Sequence, residues 1–207
     1  MKDIPHIAIE FPSYFPKDFS NLLLDGIEHE YLDLRIERKE PTVWAAIEWM
    51  VPGIIAVYIL KPYFESFLKE AGKDHYLLLK KKLNDILSKT KEMKVNTLTS
   101  TGTTNKLDNS NTQSKAISVF IQTEKGVMIK LLYDNELDLT TWQEATNDFL
   151  GFIMEHYEES KTDPLTEYLN KTDINRNTTI YAIIDKTSKD WILIDNIGEY
   201  ERKKRNQ

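Results

Sequence analysis

Three charged side chains early in the chain have residue types and a spacing that can support metal-assisted hydrolysis. They are Asp33, Glu37 and Lys39, within the segment from Tyr31 to Lys39. Carboxylates of this kind hold a divalent cation, and a nearby lysine stabilises the attacking water or the charge that develops on the reacting group. These three residues are therefore the candidate catalytic residues, and they require an element that points all of them the same way.

The order of an acid followed by Glu37-Arg38-Lys39 resembles the metal-binding core of restriction-type nucleases. The resemblance implies a divalent ion held by the carboxylates, with Lys39 assisting the attacking water. The pattern departs from that family because Asp33 and Glu37 lie on one segment, whereas the family takes its first acid from a separate strand. A Glu-x-Lys triplet also arises by chance in charged sequences. The alternative interpretation is a solvent-facing strand edge whose opposite charges pair with one another.

Other catalytic and ligand-binding motifs are absent from the sequence. None of the four histidines belongs to a His-Glu-x-x-His zinc motif, and the chain has no cysteine for a thiolate ligand or a disulfide. His29 and His156, each flanked by glutamates, are interpreted as surface residues. The 7 glycines form neither a Walker loop nor a Gly-x-Gly-x-x-Gly turn, and there is no Gly-x-Ser-x-Gly elbow. No cofactor and no metal are predicted, and the sequence favours a non-enzymatic role.

The overall composition is that of an ordinary globular protein. The 207 residues are 41% hydrophobic and 29% charged, which is sufficient to bury a substantial core without disulfides. The formal net charge of -6 argues against generic nucleic-acid binding, which requires a positive field. The absence of cysteine and of an apolar leader after Met1 leads us to expect a cytoplasmic location, with contact at a membrane surface as an alternative.

The segment that carries the candidate acids is predicted to be a half-buried strand. From Tyr31 to Lys39, apolar side chains alternate with charged ones, so the two kinds face opposite sides. Ile7 to Phe11 alternates in the same way and predicts a second strand. Residues 16–27, between the two, predict a short helix that ends near Gly26.

Val43 to Leu60 is an apolar stretch with Glu48 as its only charge. Its length of about 18 residues is the lower limit for a membrane span, but Glu48 and Pro52 argue against one. We expect two short helices, or a helix and an extended piece, that meet at Pro52–Gly53. The stretch can form core, a partner-binding surface or a conditional membrane element. The predicted binding residues are the aromatic residues within and just after it: Trp44, Trp49, Tyr58, Tyr63 and Phe64.

Beyond the apolar stretch, the pattern predicts amphipathic helices. Pro62 suits the first turn of one helix and Gly72 its end, and a further helix begins near Asp74. Consecutive lysines on that helix predict either a basic surface for an anionic partner or an ordinary solvated face. These lysines are Lys80, Lys81 and Lys82.

A polar segment divides the chain. Residues 96–115 contain mostly Thr, Asn and Ser with almost no large apolar side chains, which predicts a flexible linker or a long loop. Residues 1–95 form a predicted N-terminal α+β lobe with an apolar helical region. Residues 116–200 form a predicted C-terminal lobe in the order strand–strand–helix–strand–strand, with an antiparallel sheet and the helix on one face. In that order, the five elements are predicted at 117–121, 127–133, 139–157, 179–184 and 191–195. A basic tail follows at 201–207, and the predicted fold class is α+β.

These features predict a non-enzymatic, intracellular protein-interaction protein of an adaptor, accessory or immunity type. Its partner is expected to be another protein that contacts the aromatic residues, while the linker lets the two lobes adjust. Two alternatives stay open. One is a conditional membrane-associating effector acting through residues 43–64, and the other is a metal-dependent nuclease or hydrolase acting through Asp33, Glu37 and Lys39. The sequence does not indicate the oligomeric state.

Overall fold

The structure is a computed structural model of the chain. It describes residues 4–16, 21, 25–40, 52–93, 112–158, 163–171, 178–196 and 200.

Seven strands in this part of the chain form one mixed sheet. In chain order they are β1 (Ile7–Pro12), β2 (Leu34–Lys39), β3 (Ile55–Ile59), β4 (Ile117–Gln122), β5 (Met128–Leu132), β6 (Thr179–Ile184) and β7 (Trp191–Ile194). Their order across the sheet is β2-β1-β3-β4-β5-β6-β7, so β2 and β7 are its two outer strands. β1, β2 and the four strands of the C-terminal hairpins lie at the positions predicted from alternation. β2, however, begins three residues later than expected.

Parallel and antiparallel pairs alternate across the sheet. The pairs β1–β2, β3–β4 and β5–β6 are parallel, and the pairs β1–β3, β4–β5 and β6–β7 are antiparallel. The prediction of a purely antiparallel C-terminal sheet is therefore wrong at β5–β6. Helical segments connect these two strands and return the chain to the end where β5 began, and a parallel pair needs such a crossover.

Three helices are present among the described residues: α1 (Leu68–Lys91), α2 (Leu139–Glu158) and α3 (Pro164–Lys171). A π-helical turn, Tyr63–Phe67, leads directly into α1. The predicted interruption at Gly72 is present, because this residue has a φ of 76° and a ψ of -176° inside α1. Glycine adopts a positive φ at little cost, so the chain changes direction there and resumes as a helix.

The helices cover one side of the sheet. Alternate residues of each strand turn toward them, and in β1 these are Ile7, Ile9 and Phe11, all at most 1% exposed. They belong to one apolar core together with Trp142 and Phe149 of α2. Burial of this continuous apolar surface is the main force that holds strands and helices together. We call the opposite side of the sheet its second side.

The later part of the apolar stretch is a strand and not a helix. It forms β3, whose Ile55 and Ile59 are fully buried. β-Branched residues favour an extended backbone, which explains the strand. Just before β3, a Cβ atom at Gly53 would lie 2.6 Å from the carbonyl carbon of Ile117, so glycine permits the close approach of β4. The extended piece expected after this glycine is therefore present, and residues 41–51 lie outside the described residues.

The sheet contains strands from both predicted lobes. β3, from residues 1–95, pairs with β4, from residues 116–200. The α+β class is confirmed, and the division into two lobes stays a prediction. Other parts of the predicted elements lie outside the described residues: 96–111 of the linker, the tail 201–207, and 17–20 and 22–24 of the first helix.

Candidate functional site

β2 lies at one edge of the sheet, and its two faces differ in chemistry. Leu34 and Ile36 pack partly against the core on the helix-covered side. Alternate residues of a strand face opposite sides, so the remaining positions point to the second side. Counted from the residue that precedes the strand, those positions carry charges that alternate in sign: Asp33, Arg35, Glu37 and Lys39.

The backbone of β2 bonds to β1 through its odd-numbered residues. The amide of Ile7 donates to the carbonyl oxygen of Asp33 at 3.2 Å, and the amide of Ser13 donates to that of Lys39 at 2.9 Å. In a parallel pair, the N–H and C=O of one residue point to the same side, and those of the next residue point away. The even-numbered residues therefore direct their N–H and C=O groups away from β1, where no described strand lies. They are Leu34, Ile36 and Arg38.

His6 fixes the start of β2. Its amide donates to the carbonyl oxygen of Asp33 at 2.9 Å, and the amide of Asp33 donates to His6 Nδ1 at 2.8 Å. Close by, His29 Nδ1 accepts from the amide of Tyr31 at 3.3 Å. A ring nitrogen that accepts from a backbone N–H carries no proton, so the His6 imidazole is neutral in this arrangement. Burial lowers the pKa of His6, although Asp33 and Glu70 oppose the shift.

His75 of α1 holds the loop that precedes β2. Its Nε2 lies 2.9 Å from the carbonyl oxygen of Ile27, and its Nδ1 lies 3.1 Å from the hydroxyl of Tyr63. The ring also meets Phe67 edge to face, with 4.6 Å between centroids. Burial lowers the pKa of His75, while the hydrogen bond to Ile27 acts in the opposite direction. A neutral His75 therefore satisfies both contacts, as donor to the carbonyl and acceptor from the hydroxyl.

The structure brings Glu37 and Lys39 near an acid from a second strand. Glu10 of β1 is in register with Glu37, and the Lys39 ammonium lies 2.6 Å from Glu10 Oε2. The hydroxyl of Tyr58, on β3, donates to the same oxygen at 3.1 Å. We call these four residues the Glu10 cluster. Asp33 is not part of it, because it lies four residues before Glu37 along the extended chain, a distance of roughly 13 Å.

The Glu10 cluster is a set of charge and hydrogen-bond pairs. The Glu10 carboxylate is engaged by Lys39 and Tyr58, and burial followed by the charge of Glu10 raises the pKa of the tyrosine hydroxyl. Within the described residues, no group of three or more His, Asp or Glu side chains is arranged to hold a metal ion. Lys39 thus pairs with a second-strand acid that sequence reasoning did not find, and Glu37 lies in register with that acid.

A row of side chains crosses the second side of the sheet beyond Tyr58. The Tyr58 ring stacks on Phe120 with 4.6 Å between centroids, and the Lys130 ammonium lies 5.5 Å from the Phe120 centroid. Tyr181 is the next residue in register. Lys130 is only 2% exposed, and burial lowers its pKa to about 8.

Of the predicted binding residues that the structure describes, Tyr58 alone belongs to the Glu10 cluster, and it lies on β3, two strands in from the edge. Tyr63 and Phe64 are 0% and 5% exposed, and Phe64 stacks on Tyr157 of α2 with 4.6 Å between centroids. The Phe64 ring thus packs the π-helical turn against α2, whereas the Tyr63 ring packs against Phe67 and His75. Two predicted binding residues lie outside the described residues: Trp44 and Trp49.

The three lysines predicted as a basic surface occupy three environments on α1. Consecutive helix residues are about 100° apart, so three in a row do not share a face. Lys81 is exposed, and the Lys80 ammonium lies 4.9 Å from the centroid of the Tyr76 ring. Lys82 is only 9% exposed. The run of lysines therefore forms no compact exposed patch in the structure.

His156 is fully buried, so the prediction of a surface residue is wrong. Its Nδ1 lies 3.0 Å from Oδ1 of Asp163, and the Thr166 hydroxyl donates to Oδ2 of the same carboxylate at 2.6 Å. Asp163 also accepts from the amides of Leu165 and Thr166, which makes it the N-cap of α3. Because an acid just before a proline is a sequence signal for a helix N-cap, the capping role of Asp163 could be identified from the sequence. Its contact with His156 could not, since that contact depends on how α2 and α3 pack together.

Exposed apolar side chains flank the β1–β2 edge. Ile4 is 61% exposed and Tyr31 is 57% exposed, and they precede β1 and β2 at the same end of the sheet. Tyr14, which is 62% exposed, follows β1 at the other end. Tyrosine is among the residues that contribute most to binding at protein interfaces. This edge thus combines outward-pointing backbone groups, alternating charges and apolar side chains at both ends.

Comparisons with known proteins offer no relative for this chain. No protein family matches the sequence, and neither a curated protein nor a solved structure is significantly similar to it. In the part of the chain that the structure describes, no helix is long and apolar enough to cross a membrane.

Proposed function

We propose that this protein is a non-enzymatic binding protein that takes up an extended segment of a partner protein as an additional strand beside β2. The observation that carries the proposal is the outward direction of the backbone groups of Leu34, Ile36 and Arg38. Each of these residues presents a donor and an acceptor at strand spacing, and an added strand satisfies both.

The side chains of β2 make such pairing selective. A strand edge without charges pairs with many sequences, and charged residues restrict it to strands that carry the matching signs. Arg35, Glu37 and Lys39 supply that restriction on the second side. Tyr31 and Tyr14, at the two ends of the edge, supply exposed aromatic surface for the residues that flank an added strand.

Binding fits the Glu10 cluster better than hydrolysis does. The Lys39 ammonium and the Tyr58 hydroxyl both engage Glu10, so this carboxylate serves to hold β1, β2 and β3 in register. A hydrolytic centre instead needs carboxylates with open coordination sites for a cation and a water molecule. We therefore assign Glu37 and Lys39 to charge complementarity at the edge.

Proline at one outward-facing position tests the proposal. Arg38→Pro removes an N–H that points away from β1 and leaves the β1–β2 hydrogen bonds in place. Arg38→Ala is the matched control, because it removes the same side chain and its contact with the Phe11 ring but keeps the N–H. In native co-purification with the full-length chain, we expect Arg38→Ala to retain the partner and Arg38→Pro to lose it.

Hydrogen exchange of the purified complex measures the same contact directly. The amides of Leu34, Ile36 and Arg38 should exchange much more slowly in the complex than in the free chain. Circular dichroism of both variants verifies that they are folded. A partner that is retained by Arg38→Pro, while these three amides exchange as fast as in the free chain, contradicts strand addition.

A further inference from the structure

The alternating charges of β2 point to one particular occupant of this edge. We propose that β2 pairs antiparallel with β2 of a second copy of the chain, with Ile36 of each copy at the centre of the pairing. The proposal rests on strand addition at β2, the proposed function, and names the strand that is added. The result is a dimer with two-fold symmetry in which two seven-stranded sheets join edge to edge.

The charges are complementary at this register. On the second side, they read negative, positive, negative, positive from Asp33 to Lys39. A second copy that runs antiparallel presents them in reverse order. Arg35 of each copy therefore lies opposite Glu37 of the other, and Asp33 of each lies opposite Lys39 of the other. Opposite charges that face each other across two strands stabilise the pairing, and the symmetry repeats each pair.

Neighbouring registers bring like charges together. If one strand shifts by two residues in one direction, Arg35 lies opposite Arg35 of the second copy, and Asp33 lies opposite Glu37. The same shift in the other direction sets Glu37 opposite Glu37, and Arg35 opposite Lys39. A parallel pair in register sets every charge opposite its own copy. Like charges directly opposite each other destabilise a strand pair, so the sequence selects the antiparallel register centred on Ile36.

The backbone of β2 agrees with that register. An antiparallel hydrogen-bonded pair exchanges two N–H···O bonds, so it needs residues whose groups face outward. With Ile36 at the two-fold axis, Ile36 pairs with Ile36 of the second copy and Leu34 pairs with Arg38. These are the three residues whose backbone N–H and C=O groups point away from β1. Since their side chains lie on the helix-covered side, the two Ile36 side chains also extend the partly buried apolar strip of each copy.

The Glu10 cluster remains intact in the dimer. An ammonium group has three N–H donors, so Lys39 can keep Glu10 and donate to Asp33 of the second copy as well. Asp33 and Glu37 are both exposed in the single chain and are accessible to those partners. The pairing therefore adds contacts and keeps those that Lys39 and Tyr58 make with Glu10.

Charge exchange in the full-length chain tests the pairing. Arg35→Glu sets two glutamates opposite each other, and Glu37→Arg sets two arginines opposite each other. We expect the wild-type chain to be a dimer in sedimentation equilibrium, and each single variant to raise the dimer Kd by roughly tenfold or more. An equal mixture of the two variants restores opposite charges, so it should form a heterodimer with a Kd near that of the wild type.

Two further variants control for folding and for position. Arg35→Glu combined with Glu37→Arg in one chain makes β2 self-complementary again, so this chain should dimerise like the wild type. Ile192→Lys introduces a charge at β7, the opposite edge of the sheet, and should leave the Kd unchanged. Circular dichroism and thermal unfolding of each chain verify the fold before its association is measured.

The outcomes separate this proposal from strand addition in general. A wild-type chain that is monomeric at every concentration overturns the second-copy proposal, and so does a dimer that charge exchange leaves unchanged. If the monomer still binds a partner that Arg38→Pro releases, strand addition stands with a different occupant. A dimer that neither charge exchange nor Arg38→Pro weakens overturns both proposals.

Discussion

The two edges of the sheet, β2 and β7, are built in different ways. β2 has six residues, most of them charged, and it is held by backbone hydrogen bonds to β1 and by the pair between Lys39 and Glu10. β7 has four residues and no charge. Its first residue, Trp191, donates its indole N–H to the carbonyl oxygen of Ala145 at 2.6 Å and packs its ring against Phe149.

The difference shows two ways in which a protein can manage an exposed strand edge. A short edge strand limits unwanted pairing because it offers few backbone groups, and β7 follows that rule. A longer edge strand needs charges, which oppose most sequences but match some. The charges on β2 therefore favour strands with matching charges and also prevent unspecific pairing. We expect changes at β7 to alter stability and changes on β2 to alter association.

The largest effect on stability should come from the anchor of β7. Trp191→Ala removes a ring that packs against Phe149 and Tyr133, together with the hydrogen bond to Ala145. Replacing a large packed aromatic residue by alanine costs about 2–4 kcal/mol of unfolding free energy when the residue is partly buried. Urea unfolding of the full-length chain measures this loss. Trp191→Phe is the control and should keep most of the stability, and equal stability of the alanine variant and the wild type would contradict the anchoring role.

Acid should loosen the β2 edge before it affects β7. His6 and His75 are held neutral and have lowered pKa values, so below their ordinary value of about 6.5 the unfolded chain binds protons that the folded chain does not. Stability is therefore full above that pH and decreases as the pH decreases toward the folded pKa values. Between about pH 7.5 and about pH 5.5, we expect the Tm to decrease by about 3 °C.

A variant without these two titrating groups sharpens the acid test. His6→Asn keeps an acceptor near the Nδ1 position, and His75→Gln keeps a donor near the Nε2 position. In the double variant, the decrease in Tm over the same pH range should be at most half as large. Hydrogen exchange adds the location, because the amide of Asp33 should lose protection in acid while that of Ile192 keeps it. Equal loss at both amides would argue against a local effect.

A smaller effect should follow from the hydroxyl that connects β3 to the β2 edge. Tyr58→Phe removes the hydrogen bond to Glu10 and keeps the stacking on Phe120. The loss of one such bond costs about 1 kcal/mol. Tyr14→Phe removes a hydroxyl from an exposed ring and serves as the control, with no change expected. If the urea unfolding midpoints of both variants equal that of the wild type, the Glu10 cluster does not stabilise the edge.

The smallest effect is expected at the exposed side chain of β7. Ile192 is 40% exposed, and Ile192→Lys should change the unfolding free energy by no more than about 0.5 kcal/mol. Chemical denaturation monitored by tryptophan fluorescence measures this change. A loss of unfolding free energy as large as that of Trp191→Ala would show that the stability of β7 depends on both of its faces. It would contradict the expected difference between the two edges.

Local sequence patterns predicted the individual elements well. Alternation identified β1, most of β2 and the two C-terminal hairpins, and helical spacing identified α2 and the part of α1 after Gly72. These patterns are reliable because period-two and period-3.6 burial depend only on neighbouring residues. The parallel pairing of β5 with β6 was not predicted, because two strands far apart in sequence do not specify their relative direction locally.

The environments of single side chains were predicted less well. His156 stands among glutamates in the sequence, yet it is fully buried against Asp163. Tyr63 and Phe64 were predicted to be binding residues, yet they pack inside the protein. In each case, burial depends on how one helix or turn packs against another, and that packing reflects contacts between residues distant in the chain.

The sequence by itself determined the alternating charges from Asp33 to Lys39, because strand geometry places every second residue on one face. The tertiary structure alone decided that this strand lies at the edge of the sheet, that its even-numbered residues point away from β1, and that Glu10 meets Lys39. Strand order and direction follow from the joint burial of apolar faces on β1, β3 and the helices. No short segment carries that information, since it arises only when the whole core assembles.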